Sequence, residues 1–366
     1  MRILVTVNCR WWNASAQGGV AQAVALAMVG HDVLLQTGGG GPVAGKAAEA
    51  GLPTALLDLE GAGSVTGMLP FRRLVKEFSP DVICCHRAEG QAAAAMATGS
   101  IPLVRVRCDV RPPKGGALWR KVDRRTGLVV FPGRFMTGRG FAGERTGPVA
   151  VIPQPVDTER YAPVHRHGEP RVLLSLGRLS PVKGHRTLVR ALTLLPSDIT
   201  AAIAGAPAQQ TPGELMEYAE ELGVAGRLVV HGHVGDVRSL FPEALCGVVT
   251  SLGSEVVSRT GMEFMASALP LLAASTNGLP DLVRDGVTGL LHPPGNHAEL
   301  ARQALFLHRN PSAASRLAGN ARRYCEDRLS YRAVGRVWEE HLAALAAGEQ
   351  HPGWRVSRMT GAPGVT

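Results

Sequence analysis

Short apolar runs recur along the whole chain, and the segments between them have the length of helices. In the first half these runs cover residues 3–7, 33–37, 55–59, 81–85, 103–106, 128–131 and 149–152. In the second half they cover residues 172–176, 200–204, 228–231, 248–252, 271–274 and 289–292. Strands that are apolar on both faces and alternate with helices predict parallel sheets covered by helices on each side. The pattern therefore predicts two doubly wound α/β domains.

The length of the chain agrees with two domains. A chain of 366 residues is longer than one ordinary hydrophobic core serves, and it suits two domains of roughly 150 residues each. Residues 153–170 contain four prolines and little apolar periodicity, which is typical of a linker. We expect two Rossmann-like domains at 1–157 and 158–330 that face a central cleft, a helix at 331–349 that packs back on the first domain, and a flexible tail at 350–366. In the second domain, helices are expected near 184–195, 213–223, 236–245, 260–268, 279–284, 297–309 and 312–327.

Composition excludes several classes of protein. Hydrophobic residues make up 45% of the chain and charged residues 19%, which is ordinary for a globular protein and not for a disordered one. No apolar run approaches the ~18 residues of a membrane helix, and the N-terminus lacks the build of a signal peptide. The six cysteines have no zinc-ligand spacing, so reduced thiols in the cytoplasm are expected.

Two cations follow the first expected strand of the second domain. The sequence GRLSPVKG (177–184) places Arg178 and Lys183 five residues apart, just before a helix. Because ligands of α/β sheets bind at the carboxyl ends of strands, both side chains are candidates for neutralising a diphosphate and its leaving-group charge. The alternative is a solvated turn with two surface charges.

Two carboxylates lie around a later strand end. Glu255 and Glu263, with seven residues between them, follow an apolar run that ends near Leu252 and precede a buried helix. Unpaired backbone N–H groups at a helix start attract an anion, and nearby carboxylates would suit a ligand that also carries hydroxyls, such as a nucleotide-sugar. Alternatively, Glu263 is an ordinary charge on a helix face and Glu255 caps the turn.

The order of these segments resembles the retaining glycosyltransferases of family 4, which have the GT-B fold. It includes GRLSPVKG, then HGHV (231–234), then Glu255-x7-Glu263, and then Gly289 before Pro294-Gly295. The resemblance is dense from about residue 171 to residue 300. In the first half it rests only on Gly18-Gly19, a weak signal for a phosphate-compatible turn before a helix expected at about 20–29.

The resemblance implies a role for each matching residue. Arg178 and Lys183 match the diphosphate ligands, Glu255 the residue beside the donor sugar, and Glu263 the ligand of the ribose hydroxyls. The backbone around Val234 is expected to meet the base, and the N–H groups of Val256, Val257 and Ser258 to meet the sugar and phosphate. The implied donor is a nucleotide-diphosphate sugar, with UDP favoured, and the implied reaction retains the anomeric configuration without a metal ion or a cofactor. No Asp-x-Asp sequence occurs in the chain.

The sequence departs from the family at two places. Val256-Val257 stand where the family usually has glycine and an aromatic residue, which alters the expected sugar pocket. Many relatives have a histidine after the strand that corresponds to 103–106, where this chain has Asp109 between Arg107 and Arg111. Asp109 is therefore one candidate for the reacting centre, with an internal ion pair as its alternative, and His86 at the preceding strand end is the other.

Most of the positive charge lies in one block. Residues 105–145 hold eleven Lys/Arg and three Asp/Glu, nearly the whole net charge of +9. The segment ALWRKVDRR (117–125) predicts a basic amphipathic helix with a tryptophan, which suits an anionic membrane surface. Because the first domain of GT-B enzymes binds the acceptor, we expect an anionic glycan or lipid-linked acceptor, with lipopolysaccharide core favoured. The alternative is a solvated basic face; no recognition module for nucleic acid accompanies the charge.

Two other functions share the expected fold. Nucleotide-sugar 2-epimerases lack the combination of GRLxxxKG with Glu-x7-Glu, and a non-catalytic adaptor at a membrane has no need to keep Arg178, Lys183 and Glu263. A cytoplasmic enzyme is therefore favoured. The basic residues at 105–145 also allow a peripheral position at the inner face of the cytoplasmic membrane.

Overall fold

A computed structural model of the chain describes residues 1–59, 65–110, 114–137, 148–165, 168–253 and 255–349. The chain divides into two compact units. Unit 1 comprises residues 1–155 together with the C-terminal part from Arg328, and unit 2 comprises Val156–Asp327. The predicted tail at 350–366 lies outside the described residues.

Unit 1 is built on a seven-stranded sheet in the order β3-β2-β1-β4-β5-β6-β7. Every neighbouring pair of strands is parallel. The strands are β1 Arg2–Thr6, β2 Asp32–Thr37, β3 Thr54–Leu56, β4 Val82–Cys85, β5 Leu103–Val106, β6 Thr126–Phe131 and β7 Val149–Val151. The helices between them are α1 Ala14–Met28, α2 Pro42–Glu49, α3 Val65–Phe78, α4 Ala88–Ala97 and α5 Ala117–Arg125. The central strands are buried on both faces, as their apolar sequence predicts.

Unit 2 is built on a six-stranded parallel sheet in the order β10-β9-β8-β11-β12-β13. Its strands are β8 Val172–Leu176, β9 Thr200–Ala204, β10 Leu228–Gly232, β11 Ala244–Val249, β12 Leu271–Ala274 and β13 Leu290–His292. Its helices are α6 His185–Leu192, α7 Pro212–Glu221, α8 Arg259–Ala266, α9 Leu279–Leu282, α10 His297–Arg309 and α11 Pro311–Tyr324. The prediction of two doubly wound parallel sheets is confirmed.

A final helix, α12 Tyr331–Ala346, returns to unit 1. Its buried side chains Val334, Val337, Trp338 and Leu342 join the core that β1 and α1 form. Gly335 faces α1 so closely that a methyl group there would overlap the main-chain carbonyl group of Ala25. The predicted packing of the C-terminal helix on the first domain is therefore confirmed.

One expected helix boundary and one expected helix were wrong. Helix α1 begins at Ala14 and not near residue 20, because the Asn13 side chain accepts hydrogen bonds from the N–H groups of Ser15 and Ala16. The helix expected at 236–245 is only a 3-10 turn at Val237–Leu240, after which β11 starts at Ala244. Pro242 lacks the N–H group that a continuing helix needs.

Other features of the described residues bear on the expected class of protein. All six cysteines are buried, and none forms a disulfide bond. None of the described helices is long and apolar enough to span a membrane.

The contact between α12 and α1 gives a test of the fold. Gly335→Ala should destabilise the protein by about 1–3 kcal/mol, because the added methyl group cannot fit against the α1 backbone. Gly319→Ala in α11 is the matched control, since nothing lies within 4 Å of the added methyl group and alanine favours a helix over glycine by about 0.5–1 kcal/mol. Urea denaturation should rank the control above the wild type and Gly335→Ala below it; equal midpoints for the two variants would contradict the packing described.

Candidate active site

The candidate site lies at the centre of the unit 2 sheet. Strand β8 has β9 on one side and β11 on the other, so the order of strands reverses between β8 and β11. Open α/β sheets bind ligands in the crevice at the carboxyl ends of strands where this reversal occurs. The loop after β8 carries Arg178 and Lys183, and the turn after β11 carries Glu255.

The two loops are tied to each other through their backbones. The Leu252 N–H group donates to the Val182 carbonyl oxygen at 2.8 Å, and the Thr250 hydroxyl donates to the Lys183 carbonyl oxygen at 2.9 Å. Gly184 has a left-handed φ of 69°, and a methyl group there would overlap the Thr250 carbonyl oxygen. Only glycine therefore permits this approach, which fixes Lys183 opposite the turn after β11.

Lys183 and Glu255 meet directly in an ion pair. The Lys183 ammonium group contacts Oε1 of Glu255, and the Ser251 hydroxyl donates to the same oxygen at 2.6 Å. The Glu255 side chain is 5% exposed and the Lys183 side chain 24% exposed. A buried carboxylate is thus held by a cation that solvent can still reach.

The loop after β12 forms two hydrogen bonds with the turn that carries Glu255. The Gly278 N–H group donates to the Glu255 carbonyl oxygen at 2.8 Å, and the Asn277 side chain donates to the Gly253 carbonyl oxygen at 2.5 Å. These bonds use backbone groups of the turn, so the carboxylate of Glu255 remains directed at Lys183.

Helix α8 begins at Arg259, so Glu255 lies before the helix and only Glu263 lies on it. Ser258 is the residue before the first turn; it is buried, and its hydroxyl has no hydrogen-bond partner among the described residues. Val256 and Val257 are half-buried in the same turn. An unsatisfied hydroxyl beside the free N–H groups of a helix start is suited to a ligand with acceptor oxygens.

Glu263 lies in a different environment from Glu255. The Tyr161 hydroxyl forms a hydrogen bond with its carboxylate, and Arg259 lies close to it on the same helix. Burial raises the pKa of Glu263 above its ordinary value, while the charge of Arg259 and the hydrogen bond with Tyr161 oppose the increase. Among the described residues, the ion pair of Lys183 is with Glu255 and not with Glu263.

The remaining predicted residues of unit 2 are placed as follows. The Arg178 side chain is exposed, and its carbonyl oxygen lies 3.2 Å from Nε2 of the buried His185. Val234 is half-buried just after β10, the edge strand of the sheet. Arg178 therefore shares the β8 loop with Lys183, whereas Val234 lies two strands away from β8.

In unit 1, Gly18 and Gly19 are not in a turn before a helix. Both lie inside α1 and are buried. A methyl group at Gly18 would overlap the Gln154 side chain, and one at Gly19 would overlap Val7. These glycines serve the close packing of α1 on the sheet, which corrects their placement at a phosphate-binding turn.

His86 is buried in unit 1, with 2% of its surface exposed. Its Nε2 lies 2.6 Å from Oε1 of Gln22, while its Nδ1 has no partner among the described residues. The ring lines a small cavity together with Gln22, Cys108, Gln154 and Trp338. Burial, with the charge of Arg105, lowers the pKa of His86 to about 3, so the imidazole is neutral at physiological pH.

Asp109 is more accessible than His86. Its side chain is 35% exposed, and one carboxylate oxygen lies 3.7 Å from a guanidinium nitrogen of the buried Arg107. The arrangement matches the internal ion pair weighed as an alternative, yet it leaves the carboxylate partly open to solvent. Arg111 lies outside the described residues.

Sequence patterns missed two residues of the site, Ser251 and Tyr161. Ser251 lies at the end of a continuously buried apolar run, where the local sequence gives no sign of a polar contact. Tyr161 lies in the proline-rich linker, and nothing in the local sequence connects it to Glu263 on α8. Among the described residues, no group of three or more His, Cys, Asp or Glu side chains could hold a metal ion.

Comparison with known proteins shows what the second unit resembles. Residues 157–324, nearly all of unit 2, match the family model of the glycosyl transferases group 1. The D-inositol 3-phosphate glycosyltransferase of Actinosynnema mirum is 34% identical over 208 residues, which cover 50% of this chain and 49% of that protein. The chain thus spans about half the length of this curated relative.

Solved structures share the fold over nearly the whole chain. The Anabaena protein Alr3699/HepE, solved in complex with UDP, matches with a TM-score of 0.80 and 21% identity over 94% of this chain and 100% of its own. A glycosyltransferase from Rickettsia africae matches with a TM-score of 0.79 and 16% identity, over 94% of this chain and 98% of its own. The chain therefore has the GT-B fold, and its residues 157–324 are similar to the glycosyl transferases group 1.

Proposed function

We propose that the protein is a retaining glycosyltransferase that uses a nucleotide-diphosphate sugar. The observation that carries the proposal is the Lys183–Glu255 ion pair at the β8/β11 strand reversal, in a unit that matches the family model of the glycosyl transferases group 1. A cation for the diphosphate and a carboxylate for the sugar are thereby within contact of each other, at the place where such a sheet binds its ligand.

The proposed donor is a UDP-sugar, since the Anabaena neighbour was solved with UDP. In this proposal, Arg178 and Lys183 bind the diphosphate, and the N–H groups at Val256, Val257 and Ser258 bind the phosphate and sugar oxygens. Glu255 binds the donor sugar, Glu263 binds the ribose hydroxyls, and the backbone at Val234 meets the base. The unpartnered hydroxyl of Ser258 supports an oxygen-rich ligand at this helix start.

In the proposed reaction the acceptor hydroxyl attacks the face of the sugar from which the diphosphate departs. The bond between the anomeric carbon and the diphosphate oxygen breaks, the new glycosidic bond forms, and the departing diphosphate takes the acceptor proton. Arg178, Lys183 and the start of α8 stabilise the negative charge that develops on the leaving group. These groups give the chemistry its charge stabilisation without a step assigned to a metal ion.

Unit 1 is proposed to bind the acceptor. Of the two candidates near the reacting hydroxyl, we favour Asp109, because its carboxylate is partly exposed whereas His86 is 2% exposed. Asp109 would accept a hydrogen bond from an acceptor hydroxyl, and Arg107 beside it would favour an anionic acceptor.

The acceptor is proposed to be an anionic glycan or a lipid-linked glycan of the lipopolysaccharide-core type. The similarity to D-inositol 3-phosphate glycosyltransferases favours a second candidate, a small phosphorylated polyol. Both classes offer a hydroxyl next to a phosphate. Transfer assays with a phosphorylated polyol and with a phosphorylated lipid-linked glycan separate the two.

The membrane proposal rests on α5. Arg120, Lys121 and Arg124 are exposed, and Leu118 is 51% exposed. Val122 on the same helix is buried in unit 1, and Arg125 donates to the Thr98 and Ile101 carbonyl oxygens. The outward face is therefore mainly cationic, so electrostatic attraction to anionic lipids would dominate over insertion.

Donor turnover without acceptor tests the proposed function and the role of Lys183. The wild type should slowly release UDP and free sugar from a UDP-sugar, and Lys183→Ala should reduce both transfer and this release by about 10²–10³-fold, because the leaving-group charge loses a cation. Arg302→Ala, which removes a surface cation paired with Glu299, is the control and should keep wild-type activity.

The outcomes of this assay separate the competing functions. Conversion of the sugar to its 2-epimer would identify the protein as an epimerase. Failure to bind any nucleotide-sugar would favour the non-catalytic adaptor. Wild-type turnover in a folded Lys183→Ala variant would remove Lys183 from the diphosphate site.

The ion pair itself predicts opposite effects on binding and on turnover. Glu255→Gln removes the carboxylate that occupies Lys183, so UDP should bind about twofold to fivefold more tightly, as expected for a partly exposed ion pair. Transfer should fall by about tenfold to a hundredfold because the sugar loses a charged hydrogen-bond partner. Calorimetric titration measures the affinity for UDP, and Glu299→Gln is the control. Weaker UDP binding to Glu255→Gln than to the wild type would show that the carboxylate does not compete with the diphosphate for Lys183.

Vesicle binding tests the basic face of α5. The wild type should co-sediment with vesicles containing phosphatidylglycerol at low salt and be released at high salt. Lys121→Glu/Arg124→Glu should weaken this binding, since each basic residue near the surface contributes about 1 kcal/mol. The control, Arg309→Glu/Arg316→Glu, makes the same change in net charge on unit 2 and should bind the vesicles as the wild type does. If the wild type does not bind the vesicles at low salt, the membrane role is refuted.

A further inference from the structure

Tyr161 lies in the segment that leads from Val156 to β8, and its ring is anchored in unit 2. The ring stacks on Phe241 with centroids 6.4 Å apart, and Phe241 in turn lies 5.6 Å from the ring of Phe264. Phe264 is fully buried on α8, next to Glu263. The aromatic contacts therefore hold the Tyr161 side chain against the helix that carries Glu263.

The backbone of Tyr161 is fixed to the same helix by one arginine. A single guanidinium nitrogen of Arg322, on α11, donates to the carbonyl oxygens of Thr158 at 2.8 Å, Tyr161 at 2.9 Å and Ala266 at 2.7 Å. Ala266 is the last residue of α8. Arg322 thus joins the end of α8 to the segment that contains Tyr161, and its own side chain is only 16% exposed.

The Tyr161 hydroxyl reaches the carboxylate of Glu263. Burial and the neighbouring charge of Glu263 raise the pKa of Tyr161, so the hydroxyl stays protonated and donates its hydrogen bond. The charged groups near this carboxylate are Arg259 on its own helix and Arg160 on the segment before β8. Tyr161 is the neutral donor of the set, and a donor to the ionised form fixes the orientation of a carboxylate and favours its charge.

We propose that Tyr161 is a positioning residue that holds the Glu263 carboxylate in the orientation required to bind the ribose of the donor. The proposal rests on the proposed function, in which Glu263 is the ribose ligand. The rigid attachment of Tyr161 by its ring stack and by Arg322 is what a positioning role requires, since a mobile phenol would order nothing.

A purely structural role for Tyr161 predicts something different. The ring stack and the Arg322 bonds involve the ring and the backbone, and both survive Tyr161→Phe. A structural residue would therefore tolerate that change, whereas a positioning residue would lose the hydroxyl on which it depends. Tyr218→Phe on α7 is the matched control, because the Tyr218 ring packs against Arg186 and is used nowhere in the site.

The experiment compares the two variants in UDP binding and in the pH dependence of transfer. Tyr161→Phe should raise the Kd for UDP and the KM for the UDP-sugar by about threefold to tenfold, the range supplied by one hydrogen bond of ordinary strength. The thermal midpoint of unfolding without ligand reports whether the ring packing is kept. Tyr218→Phe should match the wild type in every measurement.

The pH profile gives the sign of the effect. Loss of a donor to the ionised carboxylate raises the pKa of Glu263 further, so the acidic limb of kcat/KM should move to higher pH in Tyr161→Phe. Nuclear magnetic resonance of the labelled Glu263 carboxyl carbon measures the same increase in the absence of any ligand.

Two results would overturn the proposal in distinguishable ways. Tight UDP binding by the wild type with an unchanged Kd and an unchanged acidic limb in Tyr161→Phe would remove Tyr161 from the site and leave the proposed function standing. Failure of the wild type to bind UDP, ADP or GDP would refute the proposed function, and the ribose role of Glu263 and Tyr161 with it.

Discussion

The contact on which the site of unit 2 depends is the ion pair between Lys183 and Glu255. It can form only because Gly184 lets the loop after β8 approach the Thr250 carbonyl group at the end of β11. In the absence of ligand, each charged group is the partner of the other. This arrangement compensates the charge of a largely buried carboxylate, and in the proposed function a ligand with its own charges and hydroxyls replaces the contact.

The two glutamates of the site have separate supports, which is what the proposed binding of different parts of one ligand requires. Glu255 is held by Lys183, Ser251 and the loop after β12, all at the carboxyl ends of strands. Glu263 is held on α8 by the segment before β8, to which Arg322 ties the end of that helix. A change at one carboxylate therefore leaves the supports of the other in place.

The sequence alone was sufficient for the parts of the structure that depend on local patterns. Strands buried on both faces have a continuous apolar signal, so the two parallel sheets were predictable. The prediction failed where side chains act at helix ends: the Asn13 cap moved the start of α1, and Pro242 prevented the helix at 236–245. The contact of Tyr161 with Glu263 could not be predicted from the sequence, because about a hundred residues separate the two and only the fold brings them together. Gly18 and Gly19 lie in a closely packed helix and not in a turn before one, a distinction that composition cannot make.

The central claim is that a nucleoside diphosphate binds at the β8/β11 strand reversal. A crystal structure of the protein with UDP tests it most directly. The account predicts the diphosphate within hydrogen-bond distance of the Arg178 and Lys183 side chains, with Lys183 displaced from Glu255 and the ribose on Glu263. UDP bound elsewhere on the protein, with the Lys183–Glu255 pair intact, would contradict it.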